Sequence, residues 1–180
     1  MRVISGTARG LKLVTQDGTD VTRPTADRVK EAVFGSLQFS LRGSSVLDMF
    51  AGSGALGIEA LSRGAKRAVF IDTDAKAIDA VKRNIAAAHF EECSAVYKTG
   101  FEMALLHMDE RFDFVFIDPP YRSGLYQSAV DMLIKSGAIG KESLLLIEHD
   151  GTFSDDRLSE LKRKKYGKTY VSFCKWESGN

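Results

Sequence analysis

From Ser45 to Glu148 the chain alternates short β-branched or aromatic runs with longer stretches whose apolar residues recur every three or four positions. That is the pattern of βαβ units wound about a parallel sheet. Strands are predicted at Val46–Phe50, Ala68–Asp72, Ala95–Lys98, Phe114–Asp118 and Leu144–Glu148, each ending near a polar residue or a glycine-bearing loop. Between them, Ile78, Val81, Ile85 and Ala88 form one apolar stripe and Leu125, Ala129, Met132 and Leu133 another, so helices should cover both faces of the sheet. Ahead of this core, Thr25–Leu37 reads as a helix that buries Val29, Val33 and Leu37, with Pro24 where a helix begins and a basic opposite face. Residues 2–22 read as short strands joined by turns at Gly6, Gly10 and Asp17-Gly18, a hairpin too small to bury a core alone. Near the other end, Tyr166-Gly167-Lys168 is a turn that pairs a Lys-rich stretch with a strand at Thr169–Trp176, and Ser178-Gly179-Asn180 reads as a loose tail. The expected division is a hairpin appendage at 1–22 and one compact domain at 23–180.

Composition narrows the class. At 180 residues and 44% hydrophobic the chain can bury one sizeable core, which excludes two independent catalytic domains. Its longest aliphatic run, Leu144 to Ile147, falls far short of the ~18 residues of a membrane span, and no signal-peptide core follows Met1-Arg2. A cytoplasmic protein is expected. Cys93 and Cys174 are far apart and form no Cys-x-x-Cys, so neither a disulfide framework nor a metal site is expected, and both should be reduced core residues. The net charge of +1 hides an asymmetry: residues 1–30 carry a local +3 and residues 157–168 a local +5, leaving −7 between them. Two basic regions of this kind suit an acidic partner, although a solvated lysine surface explains the second equally well.

The first strand runs into Asp48-Met49-Phe50-Ala51-Gly52-Ser53-Gly54-Ala55-Leu56-Gly57, a Gly-x-Gly-x-x-Gly between strand and helix. Gly52 and Gly54 let backbone approach a ligand closely, and Gly57 lets the next helix pack on the strand. Asp72 ends the second strand about twenty residues on, where a carboxylate can accept both ribose hydroxyls. To that point a dinucleotide fits as well. Asp48, immediately ahead of the glycines, would repel a pyrophosphate but suits a ligand with an ammonium and a sulfonium, which points to S-adenosylmethionine. The competing explanation for either acid is a cap or a loop-ordering group. Glu59 to Ala65 then reads as a helix closed by Gly64.

The fourth strand ends in Asp118-Pro119-Pro120-Tyr121, at the sheet edge where open α/β folds bind ligands. Consecutive prolines carry no amide hydrogens, so the Asp118 carboxylate and nearby carbonyls present acceptors with no local donors to occupy them. An exocyclic amino group supplies such donors, and Tyr121 a flat surface on which a base can stack. Accepting those hydrogens would turn the amino lone pair toward a sulfonium methyl, and most of the rate would come from alignment and electrostatics. Pro-Pro alone would explain a rigid turn, but not its flanking acid and aromatic. No catalytic histidine is required: His89 and His107 read as surface or packing residues, while His149 lies close enough to line the pocket.

These residues resemble the bacterial small-subunit ribosomal RNA guanine-N2 methyltransferases of the RsmD type. The likeness covers nearly the whole chain: Arg2-Val3-Ile4-Ser5-Gly6 with Arg9-Gly10, Arg23-Pro24-Thr25-Ala26-Asp27-Arg28-Val29-Lys30-Glu31-Ala32-Val33-Phe34, the glycine loop, Asp-Pro-Pro-Tyr, and Ile147-Glu148-His149. The resemblance implies a Rossmann-like class I fold with a seven-stranded, mostly parallel sheet, S-adenosylmethionine as donor with S-adenosylhomocysteine as product, and a guanine of small-subunit ribosomal RNA, free or in the assembling subunit, as acceptor. It also implies that the N-terminal appendage grips RNA and that Arg23 to Arg28 lies over the cofactor mouth. The expected catalytic set is Asp118, Pro119, Pro120 and Tyr121. For the cofactor it is Asp48, Phe50, Ala51, Gly52, Ser53, Gly54, Gly57, Asp72, Thr73, Gly100 and Phe101, and for RNA it is Arg2, Arg9, Lys12, Arg23, Thr25 and Arg28. After the third strand such enzymes commonly place an acid on the adenine amino group; here Gly100 stands there, so its backbone and that of Phe101 are expected to hold the adenine edge, with the Phe101 ring over its face. A monomer is expected. The motif names no base, so transfer to adenine N6 or cytosine N4 stays open, as does a binding module for ribosome assembly without turnover; a nicotinamide dehydrogenase would rest on the glycines and Asp72 alone.

Overall fold

A computed structural model describes residues 1–15, 24–37, 40–120 and 124–177, the side chains of 24–28 excepted. Seven strands, β1 (Ser45–Asp48), β2 (Arg67–Asp72), β3 (Ser94–Lys98), β4 (Phe114–Ile117), β5 (Leu144–His149), β6 (Leu158–Tyr166) and β7 (Thr169–Trp176), form one sheet in the order β3-β2-β1-β4-β5-β7-β6. β1 to β5 are parallel, and the β6–β7 hairpin closes one side antiparallel. The helices are α1 (Pro24–Leu37), α2 (Ala55–Ser62), α3 (Ala75–Ala88), α4 (Phe101–Leu106) and α5 (Leu125–Lys135).

The period of two along each strand divides the core into two layers. Val46, Ala68, Phe70, Phe114 and Phe116 face α1, α2 and α3, while Leu47, Val69, Ile71, Val115 and Ile117 face α4 and α5. Burying each of these Val, Leu, Ile and Phe side chains stabilises the fold by about 1.5–3 kcal/mol relative to exposure. The predicted strands at the first and fourth positions ran too far. β1 stops at Asp48 because Met49 and Phe50 already turn into the glycine loop, and β4 stops at Ile117 because the residue before a proline leaves the ladder. Both cysteines are free, Cys174 buried and Cys93 half-buried.

Residues 1–15 hold one isolated antiparallel bridge, Arg2 to Lys12, in place of the expected short strands. Around that bridge Val3 N–H donates to Leu11 O at 2.9 Å, Gly10 N–H to Val3 O at 2.9 Å and Leu13 N–H to Met1 O at 3.0 Å, while other backbone groups are met by α2. Ile4 and Ser5 donate their amides to the Glu59 carboxylate at 2.7 and 3.1 Å. Ser62 accepts Thr7 N–H on its carbonyl at 2.8 Å and Ala8 N–H on its hydroxyl at 3.0 Å, and that hydroxyl donates to Ser5 O at 2.6 Å. Val3 and Leu13 are thereby buried in the layer that holds α1 to α3. Gly6 makes the close approach possible: its φ is +88°, and a Cβ there would stand 1.7 Å from the Ser62 carbonyl oxygen.

Candidate active site

β1 lies between β2 and β4, so the chain leaves β1 on one side and returns on the other, opening a crevice above the carboxyl ends of the strands. Both predicted motifs reach this crevice. In the glycine loop, Ala51 N–H donates to Ile71 O at 2.9 Å, Gly54 N–H to Ala51 O at 2.6 Å, and Gly52 N–H to Asp72 Oδ2 at 2.8 Å. Asp72 Oδ1 accepts the Asp74 amide at 2.9 Å. Each Asp72 oxygen thus has one protein donor and can accept one more, which fits a pair of ribose hydroxyls. Gly54 adopts φ +76° to start α2 without a side-chain cap. A Cβ on Gly57 would stand 2.3 Å from the Phe70 ring, so only glycine lets α2 lie on β2 here. Ser53 is half-buried and Thr73 exposed.

Asp48 is 2% exposed and accepts Gly57 N–H at 3.1 Å through Oδ2. Burial pushes its carboxyl up to about 7; the Gly57 hydrogen bond opposes that, and Asp72 adds to it. Asp48 therefore orders the turn from beneath while keeping a second oxygen for charge. Around Gly100, which caps α4, the Phe101 ring turns into the core, 4% exposed, its centroid 5.5 Å from that of Phe50 at a steep interplanar angle of 63°. The half-buried Phe50 ring and the backbone at Gly100 are what this corner presents to the crevice.

Asp118 is half-buried, Pro119 buried and Pro120 exposed, while Tyr121 lies outside the described residues. Because Ile117 and Ile147 are register partners, Asp118, just past the end of β4, comes beside Glu148 of β5. They line one cleft together with Val29, Lys30 and Val33 of α1 and Leu56, Phe116, Leu146 and Val171. Desolvation first, then Glu148, then Asp48 raise the Asp118 carboxyl well above its ordinary value. The acids thus share an apolar wall and one sign of charge, an arrangement poised for a cation and for N–H donors.

His149, adjacent in sequence, is fully buried with its Nε2 2.9 Å from Ser172 Oγ and its Nδ1 accepting Gly151 N–H at 3.0 Å. Burial and then the Arg163 charge hold its pKa below the usual imidazole value. It packs the β5–β7 ladder and does not line the cleft. Arg2, Arg9 and Lys12 are exposed on the N-terminal segment, Arg2 and Lys12 directly across from each other. Arg23 lies outside the described residues, as do the side chains of Thr25 and Arg28, whose backbone forms the first turns of α1.

Three residues escaped sequence reasoning as site components. Glu148 was visible as the acid ending a buried strand. Glu59, fully buried, accepts from Arg63 at 2.7 Å and pairs with Lys30 at 3.3 Å, and Lys30 also donates to the Arg2 carbonyl. Its signal is a lone charge within the apolar helix Ala55–Ser62. Asn84, 2% exposed, holds Val14 by both backbone groups at 2.8 and 2.9 Å and donates to Ser53 O at 2.8 Å. It shares a stripe with Val81, Ile85 and Ala88, where an amide has no reason to be unless it meets backbone.

This sheet order, with an acid-flanked glycine loop after β1 and a second acid after β4, defines the Rossmann-like methyltransferase fold. Among solved structures, the Escherichia coli protein yhhF, provisionally described as a methyltransferase, superposes with a TM-score of 0.87 at 31% identity over 99% of both chains. A family model described as "Conserved hypothetical protein 95" matches residues 1–175. YlbH of Bacillus subtilis, provisionally named an rRNA methyltransferase, is 36% identical over 97% of this chain and 98% of its own. The Ribosomal RNA small subunit methyltransferase D of Haemophilus influenzae is 34% identical over 82% of this chain and 78% of its own. The chain belongs to this family, that of the small-subunit rRNA methyltransferases D.

Proposed function

We propose that this protein transfers a methyl group from S-adenosylmethionine to the N2 amino group of a guanine in small-subunit ribosomal RNA, acting as a cytoplasmic monomer on free RNA or on the assembling subunit. The observation that favours guanine is the pairing of Asp118 with Glu148 in one cleft. Guanine presents two adjacent donors, N1–H and the N2 amino group, whereas adenine and cytosine place a ring acceptor beside theirs. Two neighbouring carboxylates satisfy the first pattern and leave a lone-pair conflict with the second.

The bound cofactor supplies a methyl group on a positively charged sulfur. The chain does the rest. Asp72 and the backbone of the glycine loop hold the ribose and its surroundings, with Thr73 and Phe50 at the rim. Asp48 and Asp118 place negative charge where the ligand is cationic. Pro119 and Pro120 hold the loop so that Asp118 and nearby carbonyls accept the amino hydrogens, and Tyr121 stacks on the base. Asp118 takes the proton that the nitrogen gives up, a role suited to a carboxyl whose proton affinity is already raised. Arg2, Arg9, Lys12, Arg23, Thr25 and Arg28 hold RNA phosphates beside the mouth.

The test is transfer of labelled methyl from S-adenosylmethionine to unmodified small subunits and to their extracted RNA, followed by digestion to nucleosides. Label in N2-methylguanosine is expected. Label in methyladenosine or methylcytidine would replace the acceptor, and absence of label with cofactor bound would favour an assembly factor without turnover. Glu148→Gln should lower the preference for guanine over adenine by about 10-fold or more, since one good base contact discriminates by about 1–3 kcal/mol.

A further inference from the structure

The second basic region, residues 157–168, has no part in the site so far. Its charges divide into two groups. Arg157 is neutralised by Asp131 and Asp155, and Arg163 by Glu160. Lys164 reaches across to α1, bonding Ala32 O at 3.1 Å and Ser36 Oγ at 2.7 Å. Lys162, Lys165 and Lys168 are exposed and have no ion pair among the described residues, and of these Lys165 and Lys168 flank the β6–β7 turn.

These two lysines stand at a particular place. β6 runs parallel to β5, because each is antiparallel to β7, so the β6–β7 turn falls on the same edge of the sheet as the carboxyl ends of β4 and β5. Tyr170 links the two through the register His149↔Tyr170↔Lys165. Its ring stacks on His149 at 5.7 Å and 20° on one side and carries the Lys165 ammonium 5.2 Å from its centroid. With strands about 4.8 Å apart, the hairpin tip stands on the order of 15 Å from Asp118 across three strand spacings. The acids nearby are occupied: Asp150 by Thr152, and Glu160 by Ser172 and Arg163.

We propose that the tip of the β6–β7 hairpin, through Lys165 and Lys168, is a second phosphate-binding surface, separate from Arg2, Arg9 and Lys12, that holds the RNA strand on the β5 side of the target base. The proposal rests on the rRNA reading above. Lysines also protect an edge strand from pairing with another sheet. That role calls for charge along the whole edge and is met by Lys162 and Lys164; it does not call for charge at the turn.

The experiment measures binding of a small-subunit RNA fragment as a function of salt. In the double variant Lys165→Ala/Lys168→Ala, affinity at low salt should fall about 10- to 100-fold. The slope of log K against log salt should drop by about 1.5, since each lost phosphate contact removes about 0.7–0.9. Lys165→Arg/Lys168→Arg should restore both, and S-adenosylhomocysteine affinity should not change. Lys66→Ala/Lys141→Ala removes the same charge from the opposite edge of the sheet and should leave the slope in place. An unchanged slope in the double variant, with Arg2→Ala/Arg9→Ala lowering it, would overturn the hairpin surface and leave the rRNA reading standing. No RNA binding by the wild-type protein would overturn that reading, and the hairpin surface with it.

Discussion

The two halves of the crevice are built on opposite terms. On the β1–β2 side, the acids are already engaged: Asp72 holds Gly52 and Asp74, and Asp48 holds Gly57, so the loop stands in its binding shape with its charge tied to backbone. On the β4–β5 side, Asp118 and Glu148 share a cleft with Lys30 and several apolar side chains, and desolvation with the neighbouring acids raises the Asp118 carboxyl well above its ordinary value. The first half has its hydrogen bonds made before any ligand arrives. Burial raises a carboxyl in each half, Asp48 in the first and Asp118 in the second, but only the second sets two acids beside each other. A binding half can afford no reorganisation, whereas a reacting half gains from interactions completed only as charge develops.

The comparison breaks most sharply at Asp118. Asp118→Ala should reduce single-turnover methyl transfer by about 10²–10³-fold while leaving S-adenosylhomocysteine affinity within about twofold, because it removes an acceptor needed only for the reacting nitrogen. A matched loss of cofactor affinity would merge the two halves into one. Asp72→Ala should do the reverse, weakening cofactor binding by about 10- to 100-fold, the worth of charge-assisted hydrogen bonds at the ribose, when followed by calorimetry.

Asp48 gives a smaller, graded effect. Its folded carboxyl stands at about 7 against an ordinary 3.8, so the contribution of this group to the stability of the unliganded protein is fully present below the ordinary value and is lost as pH rises through 7. A cationic cofactor prefers the ionised form, so affinity should climb about tenfold per pH unit below 7 and level off above it; Asp48→Asn should flatten the profile. Smallest is Asn84→Ala, which frees the Ser53 carbonyl and should cost about fivefold in cofactor affinity, on the order of 1 kcal/mol. If it cost nothing, the glycine loop would be held by Asp72 and Asp48 alone.

Patterns with a short period were legible in the sequence. The alternation at Val46–Leu47 and Phe114–Ile117, the stripes of α3 and α5, and the proline opening α1 each depend on neighbours within a few residues. The acids at strand ends were legible as well, because strand, glycine loop and Asp-Pro-Pro state their own place on the sheet edge. What stayed hidden depends on distant partners. Glu59 and Asn84 find the N-terminal backbone 54 to 70 residues away in sequence, and the pairing of Asp118 with Glu148 arises from the β4–β5 register. In the N-terminal segment the pairing within residues 1–15 shrinks to one bridge, because the amides of Ile4, Ser5, Thr7 and Ala8 are met by Glu59 and Ser62; the expected turn at Asp17-Gly18 lies outside the described residues.

That docking has a consequence in time. Ile4, Ser5 and Val14 are synthesised before Glu59, Ser62 and Asn84, and at about 5–20 residues per second the wait for these partners lasts on the order of several seconds. Throughout it the two apolar anchors of the segment, Val3 and Leu13, have no groove to enter. The segment therefore completes these contacts only once α2 and α3 are present to meet it.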